Sequence, residues 1–430
     1  MKHNVDIPMT VIGGRGPHGL ALHLLMQERG LNDYALVDPA THWLPLYGPQ
    51  GPMQATGFLR SPRELDFSLG QPQREMRAFV DEDGSRPLAN VYSLKEATCD
   101  RFNESTSEAQ RAPRAAFWRY ANCVAKRSGA DQKVIHSRVT KLEPYQGGWQ
   151  VQLSGASRFS TRVVLLASGL MPQLYLPQSW QVWWQHLPEE RSHHAFRFDY
   201  RQDLKGSKVA VLGSSNISAW ETAIKLAEAG ARVTLLSRRY GPIERQLPFA
   251  PHWLESDFMA QFMALSWDKR KRFLKKPPIP NSSLPGMVAR AETLGVRFVH
   301  HAHVQYASEL WDGVQLQYKT PRGMQTELFD HLVAATGALP QARTLPYLTE
   351  AACRVKAPII VGGVGRKRPI LDDVGRWKNL PPLYPLGAHA LMRAGHAANT
   401  LASATVYLPL TLPHILEDAG IVKDALVITA

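Results

Sequence analysis

Apolar residues in this chain fall into short runs, and two distant segments arrange those runs in the same way. In the first segment, the apolar run Met9–Ile12 leads into the turn Gly-Gly-Arg-Gly-Pro-His-Gly, then into an apolar stretch that predicts a helix from Leu20 to about Glu28, and then into the run Tyr34–Asp38. Runs of this length separated by glycine predict a strand, a helix and a second, parallel strand.

The second segment repeats this plan. The run Lys208–Leu212 precedes the small-residue turn Gly-Ser-Ser-Asn-Ile-Ser, a helix predicted from about Ala219 to Ala229, and a strand predicted within Gly230–Arg239. Two further apolar runs, Val163–Gly169 and Leu332–Gly337, stop at glycine and mark the expected crossings between domains. Alternating strands and helices predict the α/β class, here with two Rossmann-like dinucleotide-binding domains that each have helices on both faces of a sheet, in three layers.

The order of these segments predicts one domain inserted into another. We expect residues 1–204 to form the first part of the first domain, residues 205–325 the inserted domain, and residues 326–430 the return to the first domain and a C-terminal closing segment. The polar stretch 80–113 predicts a long surface loop or a small cap.

The first glycine turn carries a dinucleotide fingerprint. Gly14, Gly16 and Gly19 follow a predicted strand and open a predicted helix, which is the context that the fingerprint requires. Gly14 permits the tight turn, Gly16 lets the backbone approach a pyrophosphate, and Gly19 lets helix and strand pack closely. Asp38, at the end of the next strand, predicts a hydrogen-bond acceptor for an adenosine ribose. The alternative is that the glycines merely form a turn, and Gly13 adds one residue to the usual one.

The second turn is degenerate, because Ser215 and Ser218 stand where glycines are expected after Gly213. The strand that follows ends in Ser237-Arg238-Arg239 rather than in Asp or Glu. Guanidinium groups at this place can pair with a 2′-phosphate, which favours NADP over NAD. Surface arginines without a ligand are the alternative interpretation.

Charge and cysteine content narrow the classes of partner. The formal net charge is +13, but the basic residues are mostly dispersed, so no nucleic-acid partner is predicted. The dense basic run 268–276 predicts a solvated helix face, and docking of an acidic carrier protein there is left open. Cys99, Cys123 and Cys353 form no CxxC pair and the histidines show no metal-ligand spacing, so neither a disulfide nor a metal site is expected. Without an apolar stretch of signal-peptide or membrane-span length, we expect a cytoplasmic protein with no membrane contact.

Several motifs resemble the class B flavin-dependent monooxygenases, and among them the N-hydroxylating enzymes that act on ornithine or lysine in siderophore assembly. In the first domain, the similar segments are Trp43, Met53-Gln54, Phe58-Leu59-Arg60 and Pro113-Arg114 up to Tyr120. In the second domain, Ser218-Ala219-Trp220-Glu221 is similar to the family's Ser-Ala-x-Glu turn for NADPH. Further on, the similar segments are Thr336-Gly337, Leu386-Gly387 and Gly395 to Ser403, the last two resembling the part that closes over the isoalloxazine.

The resemblance and the two turns together predict FAD in the first domain and NADPH in the inserted one. The expected FAD-binding residues are Gly14, Gly16, Pro17, His18, Gly19, Asp38, Trp43, Gln54, Arg114, Gly387, Thr400 and Leu401. The expected NADPH-binding residues are Gly213, Ser214, Ser215, Asn216, Ser218, Glu221, Ser237, Arg238, Arg239, Thr336 and Gly337. The expected substrate-binding residues are Gln54, Arg60, Asn281 and Asn399, with Arg60 as the partner of a carboxylate. A helix beginning near Ala388 is expected to point its N-terminus at the flavin.

The reaction that the resemblance implies is N-hydroxylation of an amine or amino-acid-like substrate by O2 through a C4a-hydroperoxyflavin, so that the flavin rather than a side chain carries the chemistry. Departures from the family leave the substrate open: Ala250-Pro-His-Trp follows Phe249 where the amino-acid hydroxylases have Asn-Glu, and Asn281-Ser-Ser replaces Asn-Tyr-Ser. The alternatives are an NADPH-dependent flavin reductase for a quinone or protein acceptor, a heteroatom or Baeyer–Villiger monooxygenase, and a non-catalytic flavin-binding protein.

Overall fold

The protein is described from a computed structural model. The described residues are 6–57, 59–61, 65–67, 76, 79, 112–169, 171–213, 217–241, 243–244, 247, 249–274, 282–338, 345–348 and 370–421. Several predicted positions lie outside them: most of the expected cap, Ser214, Ser215, Asn216, Asn281, Cys99 and Cys353.

The strands and helices of the described residues are numbered here in chain order. The strands are β1 (Asp6–Ile12), β2 (Tyr34–Val37), β3 (Val134–Ile135), β4 (Val139–Tyr145), β5 (Gly148–Leu153), β6 (Arg158–Leu166), β7 (Ser192–His194), β8 (Lys208–Gly213), β9 (Arg232–Ser237), β10 (Ile243–Glu244), β11 (Ser282–Ser283), β12 (Arg297–Val299), β13 (His303–Leu310), β14 (Gly313–Thr320), β15 (Gly323–Phe329), β16 (His331–Ala335) and β17 (Leu383–Pro385). The helices are α1 (Pro17–Glu28), α2 (Arg114–Arg127), α3 (Gln178–Trp184), α4 (Ile217–Glu228), α5 (Ser256–Ala264), α6 (Trp267–Leu274), α7 (Met287–Thr293), α8 (Leu391–Ala394) and α9 (Leu408–Ala419).

The first sheet has the order β3-β2-β1-β6-β5-β4, and β17 also pairs with β6. Strands β1, β2, β3, β6 and β17 are parallel. Strand β5 is antiparallel to its two neighbours, β4 and the first half of β6. The pairing of β17 with β6 brings the C-terminal part of the chain back to the first sheet.

The second sheet is entirely parallel, with the order β12-β9-β8-β16-β7. Its strands come from residues 192 to 335. The sequence predicted limits of 205 and 325 for this domain, so the sheet includes strands on both sides of those limits. Strands β13, β14 and β15, which lie between β12 and β16 in the sequence, form a separate antiparallel sheet. The α/β class with two Rossmann-like domains is confirmed.

The two connections between the domains run side by side. Leu174 pairs with Ala338 in an antiparallel bridge, and the amide of Tyr175 donates to the carbonyl of Gly337 over 2.9 Å. The apolar runs ending at Gly169 and Gly337 therefore do lead into the crossings, as the sequence predicted.

Helix α1 has apolar side chains on nearly all sides, and other parts of the protein cover it on nearly all sides. Leu20, Leu22 and Met26 are fully buried, and the helix packs against α9 and against a π-helical turn, Ser403–Tyr407, besides lying on the sheet. The N-terminal fingerprint helix and the C-terminal segment therefore share one core.

A helical segment does begin near Ala388, but it consists of short turns instead of one continuous helix. Residues Gly387–Ala390 form a 3-10 turn, α8 spans Leu391–Ala394, and a second 3-10 turn spans Gly395–Asn399. The break falls at Gly395, whose φ of 57° and ψ of −147° lie in a region that is essentially restricted to glycine. A Cβ there would lie 1.8 Å from Cζ3 of Trp253, so the glycine is required by packing as well as by conformation.

The basic run is solvated except at one residue. In α6, Lys269, Lys271 and Arg272 are exposed, as predicted, but Arg270 is fully buried. Its guanidinium donates to the carbonyl of Met263 over 3.1 Å, and Arg393 of α8 donates to the same carbonyl over 2.7 Å. Arg270 therefore does not belong to the predicted solvated face, because its side chain caps α5 at its C-terminal end. No helix among the described residues is long and apolar enough to cross a membrane.

Replacing Gly395 tests how far the stability of the protein depends on the close packing of Gly395 against Trp253. Gly395→Ala is expected to lower the free energy of unfolding by about 3 kcal/mol, because the methyl group meets Trp253 and the backbone is strained. Gly30→Ala is the control: Gly30 also has a positive φ, 66°, but nothing lies within 4 Å of an added Cβ, so a loss of about 1 kcal/mol is expected. Urea denaturation measures both, and equal losses would contradict the account.

Candidate functional site

The glycine turn between β1 and α1 is closely packed on the protein side. A Cβ on Gly14 would lie 2.6 Å from Cβ of Leu36, and one on Gly19 would lie 1.8 Å from the carbonyl oxygen of Gly14. These two glycines let α1 lie directly against β1 and β2. Gly16 differs, because it has ordinary extended backbone angles and a Cβ there would lie 3.2 Å from the nearest atom, the oxygen of Gly13. Its small size keeps the N-terminus of α1 approachable, which is what a phosphate requires.

Asp38 holds this turn in place. The carboxylate is 8% exposed and accepts the amide of Arg15 over 3.0 Å and the amide of Ala40 over 2.8 Å. A carboxylate has about four acceptor positions, so these two bonds leave room for a ribose hydroxyl. Ribose binding by Asp38 stays a prediction, whereas its anchoring of the turn is an observed contact.

Trp43 lies beside the same turn. Its indole N–H donates to Asp131 Oδ1 over 3.1 Å, the guanidinium of Arg15 forms an ion pair of 2.9 Å with the same oxygen, and Arg15 also lies over the Trp43 ring at 5.5 Å. The sequence predicted Trp43 as an FAD-binding residue but did not lead to Arg15 or Asp131. Arg15 could have been found, because it is a charged residue inside the glycine turn.

The C-terminal segment reaches the turn through His18. The Nε2 atom of His18 lies 3.0 Å from the hydroxyl of Ser403, and a Cβ on Gly387 would lie 3.3 Å from the imidazole. Burial lowers the pKa of His18 to about 4, so the ring is neutral at physiological pH. Thr400 accepts the amide of Ser403 at its carbonyl. The predicted FAD residues from both ends of the chain therefore come together at the start of α1.

Arg114 organises the loop that carries Gln54. Its Nε donates to the carbonyl of Thr56 and one Nη to the carbonyl of Gly48, each over 3.0 Å, and it also donates to the carbonyl of Tyr47. Arg114 therefore fixes residues 47–57 from the N-terminus of α2. Direct contact of Arg114 with FAD stays a prediction, as does contact of the half-buried Gln54.

The second nucleotide turn is built around Gly213. A Cβ there would lie 2.6 Å from Cβ of Ala219, so Gly213 gives the close strand–helix contact that a third glycine usually allows. Strand β8 lies between β9 and β16, and the chain order reverses at β8. Ligands of open α/β sheets bind at such switch points, outside the carboxyl ends of the strands. Thr336 and Gly337 follow the end of β16 there, and the carbonyl of Gly337 is 3.0 Å from His194 Nε2.

The arginines predicted to select NADP lie at the end of β9. Ser237 is fully buried and its hydroxyl accepts the amide of Arg239 over 3.1 Å. Arg238 and Arg239 themselves are exposed to solvent.

Two hydrogen bonds join the loop of the first domain to the second domain. Thr56 Oγ1 donates to Glu221 Oε2 over 3.0 Å, and Arg60 Nη2 donates to the hydroxyl of Ser282 over 2.8 Å. Burial lowers the pKa of Arg60 to about 10, and the charge of Glu221 opposes this. Glu221, predicted to bind NADPH, therefore lies at the domain contact together with Arg60, predicted to bind substrate.

Two other residues, Asn281 and Asn399, are predicted to bind substrate. Asn281 precedes Ser282 in the chain but lies outside the described residues. Asn399 is exposed at the end of its 3-10 turn. Within the part of the chain that the structure describes, no group of three or more His, Cys, Asp or Glu side chains is arranged to hold a metal ion.

Comparison with known proteins identifies solved structures that have a similar fold. No protein-family profile matches the chain, and no curated protein sequence does. Among solved structures, the chain is similar to an ornithine N-hydroxylase from Kutzneria sp. 744 in complex with reduced FAD, NADP+ and L-ornithine, with a TM-score of 0.73 and 17% identity over 96% of this chain and 99% of that one. An ornithine hydroxylase from Pseudomonas aeruginosa gives a TM-score of 0.71 and 16% identity over 96% and 100% of the two chains. L-lysine 6-monooxygenase from Pseudomonas syringae gives 0.68 and 17% over 97% and 100%. The predicted resemblance is thus confirmed for the fold along almost the whole chain.

The buried His194 predicts a pH dependence of stability. Its Nδ1 accepts the amide of Phe196 over 3.2 Å, so Nε2 is the nitrogen that donates to Gly337. Burial lowers its pKa to about 4. Because the unfolded chain then binds the proton more readily, the free energy of unfolding is expected to fall as pH drops from about 6.5 to about 4, by about 3 kcal/mol from this residue.

Urea denaturation across that pH range, on wild type and His194→Gln, measures this contribution. The variant is expected to show a shallower fall, while His136→Gln, at an exposed position, keeps the wild-type slope. Identical slopes for wild type and His194→Gln would show that this histidine does not titrate as its burial requires.

Proposed function

We propose that this chain, which has the fold of the N-hydroxylating flavin monooxygenases, is an FAD- and NADPH-dependent monooxygenase that oxygenates a nitrogen of a small amine or amino-acid-like substrate. The observation that carries the proposal is the contact between the two domains. The loop of the predicted flavin site meets the predicted NADPH domain through Thr56 with Glu221 and through Arg60 with Ser282.

The first domain fits FAD. Gly14 and Gly19 form a turn with no space for a side chain on the protein side, and Gly16 leaves the N-terminus of α1 approachable. The residues that would hold FAD are those of this turn together with Asp38, Trp43, Gln54, Arg114, Gly387, Thr400 and Leu401. His18, a neutral imidazole in contact with the hydroxyl of Ser403, lies beside this turn at the start of α1.

The second domain fits NADPH. Gly213 supplies the close turn, and the exposed Arg238 and Arg239 supply charge for a 2′-phosphate where NAD-binding domains have a carboxylate. Thr336, Gly337 and Glu221 complete the described part of the proposed site.

The redox chemistry of this reaction is supplied by bound FAD. The side chains have the task of binding and positioning. Arg60 is suited to hold a substrate carboxylate through a charge-assisted, bidentate pair, and the hydroxyl of Ser282 keeps its guanidinium in place. Glu221 lies close enough to Arg60 to balance its charge while the site is without an anion.

The reaction itself is tested by screening amines and amino acids for NADPH oxidation while product, O2 uptake and peroxide are measured together. The proposal expects at least one amine for which hydroxylated product forms in proportion to the NADPH consumed. NADPH oxidation that is coupled to a quinone and needs no O2 would instead identify a reductase. Peroxide release with every amine tested would contradict N-oxygenation.

The role of Arg60 is tested with matched pairs of amines that differ by one carboxylate. Arg60→Ala is expected to raise KM for L-ornithine and L-lysine by roughly 10- to 100-fold, and to leave KM for putrescine and cadaverine nearly unchanged, because only the amino acids lose a charge-assisted bond. Ser282→Ala is the control for loss of the domain contact without loss of charge. Equal effects on amines with and without a carboxylate would assign Arg60 to the domain contact alone.

The first nucleotide site is tested at Gly16. Gly16→Val is expected to leave the fold intact, because the backbone angles suit any residue, but to remove most of the bound flavin by blocking the phosphate position. Gly241→Val is the control, since nothing lies within 4 Å of an added Cβ at Gly241. Flavin absorbance per mole of purified protein, with far-UV circular dichroism for folding, measures both variants. Full flavin content in Gly16→Val would contradict the proposed site.

A further inference from the structure

An exposed aromatic ring follows the arginine pair at the end of β9. Tyr240 is 71% exposed, although large aromatic side chains usually lose most of their exposure on folding. Its ring lies 5.0 Å from the ring of His300 and 5.9 Å from that of His301. These two histidines follow the end of β12, so the cluster joins two parts of the chain that are far apart in sequence.

The cluster lies at the carboxyl edge of the second sheet. Strands β9 and β12 are parallel neighbours, with Leu236 opposite Val299, so the residues that follow each strand emerge side by side. The amide of Ala302 donates to the carbonyl of Ser237 over 2.8 Å and ties the two ends together. This is the same edge at which β8 ends, since β8 is the parallel neighbour of β9 on the side away from β12.

The exposed ring of Tyr240 is connected to the core by a series of ring contacts. Trp220 of α4 is 1% exposed and its ring lies 5.2 Å from Phe298, which lies 5.9 Å from His300. A series of four rings therefore leads from the buried helix of the second domain to Tyr240 at the surface. Such a series holds the tyrosine in one place, which an ordinary surface tyrosine does not need.

The backbone of the histidine pair is strained. His301 has a φ of 53°, in the left-handed region that side-chain-bearing residues rarely adopt. Strain of this kind persists where the surrounding structure over-determines it and is concentrated at binding sites. Here it presents the His301 ring beside Tyr240 and at 5.5 Å from His300.

We infer that Tyr240 is the stacking surface for the adenine of the nucleotide in the second domain, with His300 and His301 as the residues that position it. The inference rests on the proposed function for the identity of the nucleotide, and extends the site from the end of β9 to the end of β12. In a doubly wound sheet the adenosine lies past the end of the strand after the glycine turn, which is β9. Arg238 and Arg239 would then face the 2′-phosphate while the open face of Tyr240 takes the base, since every base has a face that stacks on an aromatic ring.

The test uses 2′,5′-ADP, which carries the adenine and the 2′-phosphate but cannot take part in hydride transfer. Isothermal titration calorimetry of the purified holoprotein is expected to give a Kd that rises roughly 5- to 100-fold in Tyr240→Ala. Tyr240→Phe keeps the ring face and is expected to bind within about 2-fold of wild type. Tyr145→Ala is the matched control, since Tyr145 is an exposed tyrosine on β4 of the other sheet.

The positioning role of His300 is tested in combination. His300→Ala alone is expected to weaken 2′,5′-ADP binding several-fold, and to have no further effect in the Tyr240→Ala background, because its contribution acts through the tyrosine. Additive losses in the double variant would overturn the positioning role. With NADPH as coenzyme, both single variants are expected to raise KM and leave kcat unchanged.

The outcomes separate this inference from the proposed function. If wild type binds 2′,5′-ADP and Tyr240→Ala binds it equally well, the stacking surface is refuted while the NADPH site stands. If Tyr240→Ala weakens binding but no amine is hydroxylated, the stacking surface stands and N-oxygenation fails. If wild type does not bind 2′,5′-ADP, both the inference and the NADPH assignment are overturned.

Discussion

The turn between β1 and α1 is packed so closely that side chains at Gly13, Gly14 and Gly19 would each overlap neighbouring backbone or Leu36. This constraint fixes the direction in which α1 leaves the sheet, and much of the first domain is arranged around it. Asp38 fastens the turn through the amide of Arg15, and the guanidinium of Arg15 pairs with Asp131. His18, the second residue of α1, meets Ser403 from the other end of the chain. The position of the C-terminal segment therefore depends on the geometry of a few N-terminal residues.

The second domain depends on the first through a smaller contact. Arg114 donates to the carbonyls of Tyr47, Gly48 and Thr56 and so holds the loop 47–57. From this loop Thr56 reaches Glu221, and just after it Arg60 reaches Ser282. The paired connections at Leu174 and Ala338 provide the covalent link. A charged group at a domain contact is only partly solvated, so the electrostatic interaction of Arg60 with Glu221 is sensitive to any anion that enters beside it. A substrate carboxylate at Arg60 would in this way change the contact between the two nucleotide domains.

The pattern of apolar residues and glycines was enough to predict those parts of the structure that are formed by residues close together in the sequence. The strand and the helix within Met9 to Glu28 and again within Lys208 to Glu228 follow from apolar periodicity and from glycine spacing, and the structure has these strands and helices within a few residues. The pairing of His18 with Ser403, 385 residues apart, has no signal in a single sequence, because it depends on how β17 returns to the sheet. Arg270 shows the same limit, since its neighbours are exposed and the acceptor that buries it is the end of another helix. Tyr240, His300 and His301 were also missed, because their proximity follows from the pairing of β9 with β12.

The central claim is that two nucleotide sites on one chain serve one flavin, and anaerobic stopped-flow spectroscopy tests it most directly. The purified flavoprotein is mixed with NADPH or with NADH, and the absorbance of oxidised flavin is followed without any substrate. The account predicts complete bleaching by NADPH, at lower coenzyme concentration than NADH requires, because Arg238 and Arg239 favour the 2′-phosphate. A bound flavin that NADPH does not reduce would contradict it.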